Sequence, residues 1–187
     1  MIEVILISFI LAKIKGYDIK PIFKQWQFYP VIIFSVMYII MQVDVFMGGH
    51  DFIKYSKNFE TIYILSFLFL IFKFKRFYSA VYGSICIFIG TLLNKIVISA
   101  NGGKMPVFPN LSYMTGYVRA DSFSNPNDIH ILGNEATKLK LLSDIFDTGY
   151  SIMSIGDIFI RLFTLIVLLS TIKYLNIGYK RENTIFI

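Results

Sequence analysis

Apolar residues arrive along this chain in long blocks, separated by short polar stretches in which lysine is the commonest charge. About 20 apolar residues at 1.5 Å rise cross a hydrocarbon core of about 30 Å, so blocks of this length predict membrane-spanning helices. Five are expected, over residues 2–15, 28–47, 59–72, 77–100 and 152–174. They predict a single integral membrane domain, an all-α polytopic transmembrane bundle. The first block is short and carries Glu3 near its start. Its lysines, Lys13 and Lys15, follow the apolar stretch, whereas a secretory leader places positive charge before it; a retained first span is expected. Ile19, Ile22, Phe23 and Trp26 have helical spacing with Lys20 and Lys24 on other faces, which predicts a cytoplasmic interfacial helix. Residues 101–151 are more polar, and within them Leu139, Leu142 and Phe146, flanked by Leu141 and Ile145, predict an amphipathic helix over 139–146 lying on the outer leaflet or capping the bundle.

The distribution of charge orients these spans. Lys13, Lys15, Lys20, Lys24, Lys73, Lys75, Arg76, Lys173, Lys180 and Arg181 fall on one side. Lys54, Lys57, Lys104, Arg119, Lys138 and Lys140 fall on the other, over much longer segments. The positive-inside rule then places the amino terminus outside, the carboxyl terminus in the cytoplasm and residues 101–151 facing outward. Composition agrees: 56% of the 187 residues are hydrophobic and 16% charged, too few charges to cover one soluble core. The net charge of +6 sits at the ends of apolar blocks and not in one patch, which argues against a nucleic-acid partner. Cys86 is the one cysteine, so an intramolecular disulfide and a multi-cysteine metal site are excluded.

Charged residues inside a span point inward by default, so they mark the candidate chemistry. Asp157 and Arg161 are four apart on the last span and can pair on one face. Asn94 and Lys95 lie at a similar depth on the fourth span. With Asn101, Lys104 and Asp144 these residues are expected to converge in a polar pocket at the outer membrane boundary, roofed by 139–146. The run Asn101, Gly102, Gly103, Lys104 can cradle an anion, or simply stop a helix. His50 and His130 lack metal-ligand spacing to each other or to carboxylates, so a hydrogen-bonded or solvated imidazole is expected and no metal. No cofactor motif is visible. The expected function is binding or accessory, with Asn94, Lys95, Asn101, Lys104 and Arg161 contacting a lipid headgroup, a peptide or a partner membrane protein. Ion or solute translocation would use Asp157, Arg161 and Lys95 as a relay, yet the intramembrane charges occupy one end of the bundle.

Two resemblances add to this. The run Asn101, Gly102, Gly103, Lys104, Met105, Pro106, then His130, Thr137, Leu139, Leu142, Asp144, and finally Ser154, Ile155, Gly156, Asp157 resembles a domain-of-unknown-function family of small bacterial polytopic membrane proteins. That resemblance implies a bacterial cytoplasmic membrane and no known activity. Ser143, Asp144, Ile145, Phe146 followed by Ser154, Ile155, Gly156, Asp157, Ile158 is similar to the carboxyl-terminal half of lipoprotein signal peptidases. The similarity implies an aspartate-dependent hydrolase in which Asp144 and Asp157 form the catalytic dyad, two carboxylates sharing a proton to activate water. The chain departs from that family in lacking the asparagine before the second aspartate and the asparagine-aspartate-arginine motif, and in its five expected spans against four.

Overall fold

The computed structural model describes residues 2–47, 49, 56–119, 122–123 and 128–185; His50 and Lys54 lie outside them. The described chain is mostly helical: α1 (Ile2–Ile14), α2 (Lys20–Phe23), α3 (Tyr29–Phe46), α4 (Ser56–Ser66), α5 (Leu68–Phe74), α6 (Phe77–Ala100), α7 (Leu111–Thr115) and α8 (Ile155–Ile185). Among the described residues three helices are long and apolar enough to cross a membrane: Trp26–Phe46, Phe77–Ala100 and Ile155–Ile177. The block expected to start at residue 28 is extended backwards by a 3-10 turn, Trp26–Phe28, that runs into α3.

The first and third blocks differ from expectation in form. Block 2–15 is helical but only 13 residues long. Block 59–72 divides at Phe67, whose N–H bonds Ile64 three residues back, a tightened turn that separates α4 from α5. The end of α5 is set by Lys75, left-handed at φ 52°, with the Arg76 N–H reaching back to Ile71 O at 3.0 Å. The interfacial helix expected around Ile22 is two short turns, in which Ile22 is buried and Trp26 exposed.

The chain separates into two compact units, the first comprising Met1–Asp44, Gly49–Ile85 and Arg161–Ile187. Its core is aromatic and branched-aliphatic: Phe67 is fully buried with edge-on contacts to Tyr63 and Phe163, beside buried Leu70, Val31 and Leu168. Gly83 lets α6 approach α8 so closely that a Cβ there would lie 3.2 Å from the Phe163 Cα. Ser79 donates to Ser170 at 2.7 Å across the same two helices, an interhelical bond of the kind worth about 0.6 kcal/mol in a membrane. Further along α8, Arg76 stacks on Tyr174 at 4.4 Å and Asn176 bonds both the N–H and the carbonyl of Asp18.

The second unit, Val45–Gly48 and Cys86–Ile160, contains the polar segment. Here α6 stops at Gly102 and Gly103, both at positive φ, with the Gly103 N–H on Ile98 O at 2.9 Å. Strand β1 (Met105–Val107) then pairs in parallel with β2 (His130–Leu132), in register Met105 to His130. On its other edge β1 takes Asp144: the Asp144 N–H bonds Pro106 O and the Phe108 N–H bonds Asp144 O. A hairpin of β3 (Phe146–Asp147) and β4 (Ile152–Met153) leads into α8.

This local β-structure corrects the all-α expectation and the helix expected over 139–146. Only Lys140–Leu142 forms a 3-10 turn, after Leu139 at φ 56°, and Ser143 is already extended. A helix over these residues would forfeit the two backbone bonds that hold Asp144 to β1. Non-local backbone pairing outweighs the helical spacing here.

Candidate functional site

Two adjoining polar clusters in the second unit hold most of the residues singled out from sequence. The first is the start of α8. Ser154 and Asp157 cap the helix reciprocally: the Asp157 N–H donates to Ser154 Oγ, and the Ser154 N–H donates to Asp157 Oδ2, both at 2.9 Å. Asn94 on α6 closes the ring, its Nδ2 donating to Asp157 Oδ1 at 2.9 Å while its Oδ1 accepts from Ser154 Oγ at 2.8 Å. Glycines make this possible. A Cβ on Gly156 would lie 2.6 Å from Gly90 O and closer still to the Asn94 amide, so Gly90, Asn94 and Gly156 form one close helix crossing.

The second cluster is built on the β1 edges. Asp144 is 5% exposed, and among the described residues its Oδ1 has no hydrogen-bond partner. Its Oδ2 lies 3.9 Å from His130 Nε2, across β1, and His130 Nδ1 is 3.0 Å from Asp128 Oδ1. The Asp128 carbonyl in turn accepts from Lys104 Nζ. Burial pushes the Asp144 carboxyl up to about 8, and the negative charge of Asp157 acts in the same direction. Asp144 is therefore largely protonated at neutral pH, beside an imidazole oriented by a second carboxylate.

Asp147, three residues away, shows the contrast. Desolvation acts to raise its carboxyl, yet the Ser112 hydroxyl and the N–H groups of Ser112, Asn110 and Gly149 outweigh it and hold the group below its ordinary value. It organises the start of α7 and the β3–β4 turn and offers no free acceptor.

Asn101 clamps residue 138, its Oδ1 accepting from the Lys138 N–H and its Nδ2 donating to the Lys138 carbonyl, both at 2.9 Å. Lys95 is exposed on α6. Arg161 belongs to the first unit, where its guanidinium lies 3.5 Å from the Glu3 carboxylate. The pairing expected between Asp157 and Arg161 is thus replaced by separate partners: Asn94 and Ser154 for the aspartate, Glu3 for the arginine. Capping at the first turn of α8 takes both oxygens of Asp157, which helical spacing alone does not reveal.

Sequence reasoning passed over Glu3, Asp128 and Ser154 as partners. The spacing Ser154-x-x-Asp157 ahead of an apolar run is a capping signature and could have found Ser154. Asp128 lies two residues before His130 and was open to view as its neighbour, whereas Glu3 acts through a contact that no local spacing encodes. Among the described residues no three of His, Cys, Asp and Glu converge as metal ligands.

Residues 19–169 match the DUF5317 family, a family of unknown function. The chain belongs to this family. The match includes both the Asn101–Gly103 stop and the Ser154–Asp157 cap, so the expected membership in a family of unknown function holds on the residues that suggested it. No curated protein and no solved structure matches the chain. The likeness to lipoprotein signal peptidases receives no support from these comparisons.

Proposed function

We propose that this DUF5317 protein is a multi-pass binding protein of the bacterial cytoplasmic membrane, and that residues 101–154 face outward and hold a ligand's ammonium group at Asp144. The observation that carries this reading is the buried Asp144 carboxyl with one oxygen unanswered, beside His130. A buried carboxyl is costly in its charged form unless a donor or cation meets it, and an ammonium group supplies both. Asn94 and Asn101 enter the reading as supports that fix the two ends of the segment, and Lys104 as the group that holds the Asp128 loop. Lys95 and Arg161 have no direct role in it.

The test uses the full chain in nanodiscs free of amine lipids, titrated with a short-chain phosphatidylethanolamine and with a dipeptide amide bearing a free amino group. Saturable binding of either probe that is lost in Asp144→Asn and kept in Lys95→Gln supports the site, and the probe that binds identifies lipid or peptide as the source. Since the ammonium group must displace a proton from Asp144, affinity should weaken about tenfold per pH unit below 8. Binding unaffected by Asp144→Asn overturns the proposal.

A second reading, the aspartate-dependent hydrolase with Asp144 and Asp157, is favoured by one observation, that a buried Asp144 and the Asp157 carboxylate belong to the same compact unit. It requires Asp157 to release its bonds to Asn94 and Ser154. Loss of a lipopeptide-cleaving activity in both Asp144→Asn and Asp157→Asn, with folding intact, would favour it over binding.

A further inference from the structure

Residues 138–141 read Lys, Leu, Lys, Leu, and all four are exposed. Leu141 is 75% exposed, the most of any leucine in the described chain. Their height relative to the membrane is fixed by an independent contact. Asn101, the residue after the last turn of the candidate span α6, grips the backbone of residue 138 by two hydrogen bonds of 2.9 Å and bonds its own helix at Val97 O. The backbone is left-handed at Leu139, and Leu139 and Leu141 on either side of Lys140 are both exposed. A non-glycine residue resists that conformation, so the surrounding bonds must hold it in place.

We infer that residues 138–141 are a lipid-docking edge, seated in the headgroup layer where α6 leaves the bilayer, with anionic phospholipid as the partner. Three observations select this occupant. The Asn101 clamp puts the edge at the end of a span, where the headgroups are. Two exposed leucines suit the boundary between headgroups and acyl chains. Lys138 and Lys140 complement phosphate charge at that level, as basic residues near an anionic surface do. The Lys140 ammonium lies over the Phe108 ring at 4.6 Å, which steadies this lysine on the edge while the residue as a whole remains exposed. The inference needs only that α6 crosses the membrane and is independent of the Asp144 site.

The experiment places a bimane label on Leu141→Cys in a Cys86→Ser background, with the full chain in nanodiscs. Quenching by a phospholipid carrying a nitroxide near the top of its acyl chain should exceed quenching by aqueous acrylamide at least threefold. In discs with about a third phosphatidylglycerol the lipid quenching should be roughly twice that in pure phosphatidylcholine, and Lys138→Gln with Lys140→Gln should remove that difference. Asn101→Ala, which leaves the spans intact, should return the label to acrylamide. A label that acrylamide reaches as freely as the unattached dye overturns the docking edge. Equal quenching in the two lipid compositions overturns the anionic partner, and an unchanged signal in Asn101→Ala overturns the clamp.

Discussion

Asp144 binds its proton more tightly in the folded chain than in the unfolded one, because burial and the Asp157 charge act on it only after folding. With an ordinary value of 3.8 and a folded value of about 8, the folded state holds more protons throughout that window. Stability from this group is therefore complete below pH 3.8, falls as pH rises by up to about 1.4 kcal/mol per unit, and changes no further above 8. Thermal melts in detergent at pH 5, 6, 7 and 8 should show Asp144→Asn with a flatter profile than the parent; parallel profiles would refute the coupling. The charges on α1 and α8 make a second prediction at this scale. Arg161 meets Glu3 while Asp157 meets Asn94 and Ser154, so Glu3→Gln and Arg161→Gln should be non-additive. Asp157→Asn and Arg161→Gln should add within about 0.5 kcal/mol. A large coupling between Asp157 and Arg161 in a double-mutant cycle would return them to a common partner.

Helix approach is set by glycines at two levels, Gly83 against Phe163 and Gly90 against Gly156. Gly156→Ala would press on the Gly90 carbonyl and on the Asn94 ring of hydrogen bonds, so a loss of about 1–3 kcal/mol is expected in the detergent melt. Gly102→Ala meets open space and should cost only the left-handed backbone, about 1 kcal/mol. If the two variants melt alike, the close crossing is not what holds α6 to α8. The three long helices were legible in the sequence because length and hydropathy alone decide whether a segment can cross a membrane. The glycine stop after α6 was legible as well, since Gly102 and Gly103 follow an apolar run. The stretch 139–146 was not, because its three-to-four-residue apolar spacing mimics a helix while the backbone of Asp144 is claimed by β1, some forty residues away. Likewise the pairing of Asp128 with His130 was open to view as two neighbours, but the approach of Asp144 to the same imidazole depends on β1 lying between them.

The arrangement of the first unit bears on how many segments cross. One stretch of α8, Tyr174 to Asn176, receives both the Asp18 loop after α1 and the Arg76 loop after α5. Lys15 and Lys75 lie in those loops and Lys13, Lys20, Lys24 and Lys73 at the helix ends next to them, a run of cations that suits a cytoplasmic boundary. From Asn176 back to Arg161, where Glu3 docks, α8 rises about 22 Å, so α1 accompanies it through most of a hydrocarbon core. If α3 alone crossed before α6, the Arg76 loop would lie on the opposite side from Asp18, which the shared contact with α8 opposes. We therefore expect α4 and α5 to cross together, kinked at Phe67, with residues 101–154 outside. Single cysteines in a Cys86→Ser background test it with an impermeant maleimide on intact cells. Glu135→Cys should react at once, whereas Lys24→Cys and Lys75→Cys should react only after permeabilisation. Reaction of Lys75→Cys alone from outside would leave three crossings and put the Asp144 site on the cytoplasmic face, where an external ammonium ligand could not reach it.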